Sequence, residues 1–197
     1  MEMEWLPAGA KRIEYLETSG TQYIDSGIKF TSDLASGVDI KYMLNSVAGS
    51  AAVIGSCTSN DGSWFVMYQS GGAFYVGSSA ALFGNSISAN TIYEVSYRIN
   101  SNNTIDQSWN GNLSSKSYTG TIVSGSNIGI FEQLSNSSPL GRKPSGKIYY
   151  CKIVNGGNLV RDMIPIRINT TGYLYDKVSK QIFANDGTGN FSLGPDL

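Results

Sequence analysis

Histidine is absent from the 197 residues, which removes the commonest general base and the commonest metal ligand together. A nucleophile activated without it would need a Ser–Lys pair, and no local motif supports one. Sugar hydrolysis with retention needs two carboxylates about 5 Å apart, hence acids alternating on one strand face. No such run exists. Asp39 and Glu94 stand singly on strands, and Glu14 and Glu17 fall on opposite faces of another. These acids read as solvated or ion-paired, so no enzyme is expected. Cys57 and Cys151 are the only thiols, too few for a four-thiolate metal site or a disulfide framework. Cys151 reads as a small core residue, and a 57–151 disulfide is the competing reading.

The remaining chemistry is that of binding. An aromatic face stacks on C–H-rich rings while planar polar side chains take hydroxyls. Trp64, Tyr68 and Trp109 each stand near a Gly- or Asn-containing turn, with Asp61, Gln69, Asn110 and Asn112 as polar neighbours. The alternative for Trp64 and Trp109 is that they fill the core.

The scaffold that must position these groups is made of strands. Its ordering stretch is Gly146 to Pro165. Strict alternation puts Ile148, Tyr150 and Lys152 on one side and Tyr149, Cys151 and Ile153 on the other. Asn155-Gly156-Gly157-Asn158 turns the chain, and Pro165 keeps Ile164 extended. Apolar groups on both faces predict a central strand. Val38, Ile40 and Tyr42 alternate with Asp39 and Lys41, the pattern of a half-buried antiparallel strand. Further strands are expected at 12–16, 22–25, 51–55, 63–69, 73–77, 91–99, 104–109, 112–115, 127–131, 172–176 and 181–184. Residues 78–90 read as an ordered loop or short strand, and 132–145 as a polar loop. No helical period persists beyond about two turns, so the chain is expected to be an all-β sandwich or barrel.

Charged residues are 15% of the chain with a net charge of −1, and the basic ones are dispersed, which argues against nucleic acid as a partner. Neither a signal peptide nor an apolar run of about 20 residues is seen, so no membrane insertion is expected. Residues 1–12 read as a leader, and 13–197 as one domain.

In order, V-I-G-S, S-W-F-V-M-Y, N-T-I-Y-E-V-S-Y, S-W-N-G-N-L, N-I-G-I-F and S-G-K-I-Y-Y-C-K-I resemble the laminin-G-like, concanavalin-A-like jelly roll. The resemblance covers about residues 20–155. The flanks, L-P-A-G-A-K-R-I-E-Y-L-E-T-S-G-T-Q-Y-I-D-S-G-I and G-Y-L-Y-D-K-V-S-K-Q-I-F-A-N-D-G-T-G-N-F, look like those of a lectin-like module of phage tail, fibre and bacterial surface proteins. The resemblance implies an antiparallel jelly-roll β-sandwich and a location on a virion or extracellular surface. It implies attachment to a glycan or cell-surface polysaccharide, for which the residues themselves offer Trp64, Tyr68, Trp109, Asn110 and Asp61 as binding candidates. The alternative it leaves is a structural virion subunit working through contacts with other subunits or with its own copies. No cofactor is required. Calcium, which such domains often carry at the rim, would have to use Asn60-Asp61 or Asn185-Asp186, but both aspartates precede glycine and read as turns.

Overall fold

The computed structural model describes residues 6–29, 35–58, 64–70, 73–78, 81–100, 103–118, 125–135 and 138–197. Its strands begin with β1 (Ala10–Arg12), β2 (Leu16–Ser19), β3 (Ile24–Asp25), β4 (Gly37–Leu44), β5 (Ser50–Cys57), β6 (Trp64–Ser70) and β7 (Ala73–Ser78). They continue as β8 (Ala81–Ser86), β9 (Ile92–Ile99), β10 (Thr104–Trp109), β11 (Asn112–Ser117), β12 (Gly129–Ile130) and β13 (Gln133–Ser135). The last are β14 (Ser138–Pro139), β15 (Ser145–Asn155), β16 (Asn158–Ile168), β17 (Thr171–Asp176), β18 (Gln181–Phe183) and β19 (Ser192–Leu193). No helix among the described residues is long and apolar enough to cross a membrane.

The strands form two sheets. The larger runs β11-β10-β9-β4-β15-β16-β17-β18, with β1 beside β16 and with β2 carrying β19 beside β15. The smaller runs β14-β13-β5-β6-β7-β8, with β12 on β5 and β3 on β12. Pairing is antiparallel except between β13 and β5. This is the expected jelly-roll sandwich, and β15 is central to it. One of its edges is held by β4, and the other by β2 along Ser145–Ile148 and by β16 along Cys151–Asn155.

Alternation drives the packing. Val38, Ile40, Tyr42 and Leu44 of β4 and Tyr93, Val95, Tyr97 and Ile99 of β9 are buried. They meet Val53, Ile54, Met67, Ile130 and Phe131 of the facing sheet in one core, each large side chain worth about 1.5–3 kcal/mol on burial. On β15 the strict alternation expected from sequence fails. A bulge at Tyr149 lets Ile148 pair with Tyr42 while Tyr150 pairs with Lys41. Ile148 therefore joins Cys151 and Ile153 in the core, all with no exposed surface, and Tyr149 turns outward beside Tyr150 and Lys152. One extra residue re-aims Ile148 and Tyr149, while Tyr150 and Lys152 keep the face that alternation gives them.

The stretch 78–90, read as an ordered loop or short strand, holds β8, and 132–145, read as a polar loop, holds β13 and β14. The ends are sewn together. Leu6 and Ala10 pack on Ile164, Ile166 and Tyr175 in a small outer core, and β1, the last part of the stretch read as a leader, pairs with β16. Ile13 bridges Asp196, whose carboxylate takes Arg167 at 2.6 Å and Lys11 at 3.4 Å. The hydrogen bond from Arg167 chiefly holds the Asp196 pKa down to about 2.

Both thiols are free and buried, so the 57–151 disulfide is not formed. Burial pushes the Cys151 thiol far up from its ordinary pKa, with Asp39, Asp162 and Asp176 adding to the effect. Cys151→Ser is expected to cost about 1 kcal/mol, from a hydroxyl without a partner, and native Cys151 to label with iodoacetamide only as fast as the domain unfolds. Rapid labelling in native buffer would contradict this packing.

Candidate functional site

The outer face of the larger sheet carries what the core rejects. The same alternation that buries Val38, Ile40 and Val95 points Asp39, Lys41, Glu94 and Ser96 outward from β4 and β9. β10 adds Ser108, and β15, alternating with buried Cys151 and Ile153, adds Tyr150 and Lys152. Asp39 pairs with both Ser96 and Lys152, and Ser96 with Ser108, so the four form one row across four strands. Together with Glu94 and Tyr150 they line a groove of about 330 Å³, at the small end of ligand pockets.

The groove is held in shape by its neighbours. Arg98 grips Asp39 at 2.6 Å. The Tyr150 hydroxyl bonds Glu94, and burial together with that bond pushes the Tyr150 pKa well above its ordinary value. At the rim Asn110, with φ of 48°, closes the β10–β11 turn. Its amide oxygen accepts the Glu94 N–H at 2.8 Å and its own N–H donates to the Glu94 carbonyl at 2.8 Å. Gly111 follows at φ of 84°, with open space where a Cβ would stand. The turn thus positions Glu94 and leaves the groove mouth clear.

Of the residues expected from sequence, Asn110 stands at this rim as a positioning residue. Trp109 lies on the other face of β10, partly buried against the core, its ring 5.1 Å from Tyr93. Tyr68 is on the opposite sheet, half-buried and stacked on Tyr75 at 5.2 Å. Trp64 opens β6 opposite Cys57; its side chain and Asp61 lie outside the described residues, as does Asn60. Tyr68 and Trp109, on opposite sheets, are therefore not gathered into one site. Sequence reasoning passed over Tyr150, Lys152, Ser96 and Ser108 and took Asp39 and Glu94 as isolated acids. The only signal was the shared outward parity of Asp39 with Lys41 and of Glu94 with Ser96.

At the other calcium candidate, side-chain oxygens are already used by backbone donors. Asn185 Oδ1 takes the N–H of Tyr23 and Gly187, and Asp186 Oδ2 that of Asp25. Among the described residues, no three His, Cys, Asp or Glu side chains gather to hold a metal ion.

No protein-family model and no curated protein matches the chain. Solved structures do. A Bacteroides ovatus protein described as a candidate carbohydrate-binding protein superposes with a TM-score of 0.65 at 9% identity, over 94% of this chain and 62% of that one. The heptameric SAP-like pentraxin of Limulus polyphemus gives 0.55 at 13% identity over 94% of each chain. The extracellular region of zebrafish Gpr126/Adgrg6 gives 0.51 at 12% identity, over 95% of this chain and 26% of that one. At such identities the likeness is one of fold, and the fold is the concanavalin-A-like, laminin-G-like jelly roll.

Proposed function

We propose, taking that jelly-roll sandwich as premise, that the chain is a non-catalytic carbohydrate-binding module whose ligand lies in the groove over β4, β9, β10 and β15. The groove's mixture of groups carries the reading. Sugar hydroxyls donate and accept at once, and here Asp39 and Glu94 accept, Lys152 donates, and Ser96, Ser108 and Tyr150 do both. All stand on strands, where a binding geometry is held more rigidly than on loops. The two carboxylates already accept from Arg98 and Tyr150, whereas glycoside hydrolysis needs one of its pair to give up a proton. The fold likeness to the Bacteroides ovatus protein supports the same reading. The flanking segments support attachment, as part of a phage tail fibre, another virion protein or a bacterial surface protein, to a cell-surface polysaccharide.

The test is retention by immobilised polysaccharides in affinity electrophoresis. Glu94→Ala and Tyr150→Ala are each expected to weaken binding about 30-fold, near 2 kcal/mol, with Tyr68→Ala unchanged. Loss of binding in Tyr68→Ala alone would move the site to the opposite sheet. Release of reducing sugar by the wild type would make the module an enzyme.

A second reading, a structural subunit joined to its own copies, has one observation in its favour. Edge strand β11 is exposed along its whole length, with Leu113 at 84%, and an open edge is a template for another strand. A stable oligomer by light scattering, with no polysaccharide retained, would favour it.

A further inference from the structure

Resting on the groove reading, we propose that the sugar bound there carries an anionic group, carboxylate or sulfate, and that Lys152 is the residue that reads its charge. The other cations around Lys152 on the outer face of the sheet are committed. Arg98 holds Asp39 at 2.6 Å, Lys177 holds Asp162 at 3.0 Å, and Lys147 lies 4.0 Å from Glu17 and over the Tyr15 ring. Lys41, opposite Glu94, rests 5.7 Å from the Tyr149 ring centre.

Lys152 differs from them. Its register places it between Asp39 of β4 and Asp162 of β16, yet each aspartate is taken from its far side, by Arg98 or by Lys177. Asp162 even keeps one buried oxygen without a partner, and Lys152 does not reach it. Glu94, the remaining acid of the groove, accepts from Tyr150. Asp106, opposite Arg98 on β10, accepts from Asn100 at 2.6 Å and lies outside the groove lining. Lys152, half-buried, is the cation among the residues that line the groove. A neutral sugar would give that ammonium only a hydroxyl to donate to. A carboxylate or sulfate would give it the charge-assisted partner the protein withholds, in a part-desolvated place where such a bond is strong.

The experiment compares matched polymers by affinity electrophoresis: polygalacturonate with its methyl ester, and dextran sulfate with dextran. The wild type should prefer one of the anionic polymers over its neutral counterpart by at least about tenfold, a ratio that Lys152 must supply. Lys152→Met should abolish the preference by lowering retention of the anionic polymer to that of its neutral counterpart, Lys152→Arg should keep it, and Lys180→Met, in the exposed β17–β18 turn, should leave it unchanged. Which polymer is preferred separates carboxylate from sulfate. Equal retention of neutral and anionic polymers overturns the inference while the carbohydrate-binding reading stands. So does a preference that survives Lys152→Met or disappears in Lys180→Met. Retention of none of the four overturns both.

Discussion

Glu132→Ala is expected to destabilise the domain by about 3–5 kcal/mol, the loss typical of one partner of a buried ion pair, and to lower Tm by roughly 6–20 °C. Glu132 sits between β12 and β13 with no exposed surface. Its Oε1 accepts the N–H of Gln133 and of Arg142, each at 2.9 Å. Its Oε2 accepts the N–H of Gly141 at 3.1 Å and lies 3.0 Å from Lys143 Nζ. One side chain thus folds residues 140–143 back onto the smaller sheet, where the Arg142 carbonyl takes the Ala52 N–H at 2.7 Å. Alanine strands three backbone donors and an ammonium together. Glutamine keeps the shape but not the charge, and should cost less, about 1.5–3 kcal/mol. Chemical denaturation measures both. A loss below 1 kcal/mol for alanine would mean that the loop holds without its anchor.

Nothing in the sequence marks Glu132, because its partners are backbone groups and backbone groups have no letter. The stretch 132–145 is polar, with four Ser and two Pro, and it reads as loop for sound local reasons. The frame was legible where one physical rule acted alone. Alternation placed β4 and β9, Asn110-Gly111 placed the β10–β11 hairpin, and apolar residues on both faces made β15 central. Where two rules competed, the sequence misled. The bulge at Tyr149 inserts one residue into an otherwise regular strand, and every side-chain direction before it inverts. The groove was hidden for the same reason. Asp39, Glu94, Ser108 and Tyr150 lie far apart in the chain and meet only through strand order, which no local pattern encodes. Trp109 and Tyr68 drew attention as large aromatics beside turns, yet a turn does not say which face of its strand is open.

Asp176→Ala should cost about 3 kcal/mol, by stranding at least three donors at roughly 1 kcal/mol or more apiece. Asp176 ends β17 with no exposed surface. Its Oδ1 accepts the N–H of Asp162 at 2.7 Å and of Val178 at 3.2 Å. Its Oδ2 accepts the N–H and hydroxyl of Ser179 at 3.0 and 2.6 Å, with Arg161 at 3.5 Å. Burial alone would raise its pKa, but the hydrogen bonds from Ser179, Asp162 and Val178 outweigh it and hold the pKa below the ordinary aspartate value. The sign follows by linkage. A carboxyl depressed on folding contributes stability that is full above the unfolded value near pH 4, and that is lost as pH falls through the lower folded value. Asp176→Asn lacks that contribution at every pH. The stability gap between wild type and Asp176→Asn should therefore be widest near pH 6 and should narrow steadily below about pH 4. A gap that stays constant down to pH 2 would mean that the carboxylate's charge is not what pins the β17–β18 turn to β16.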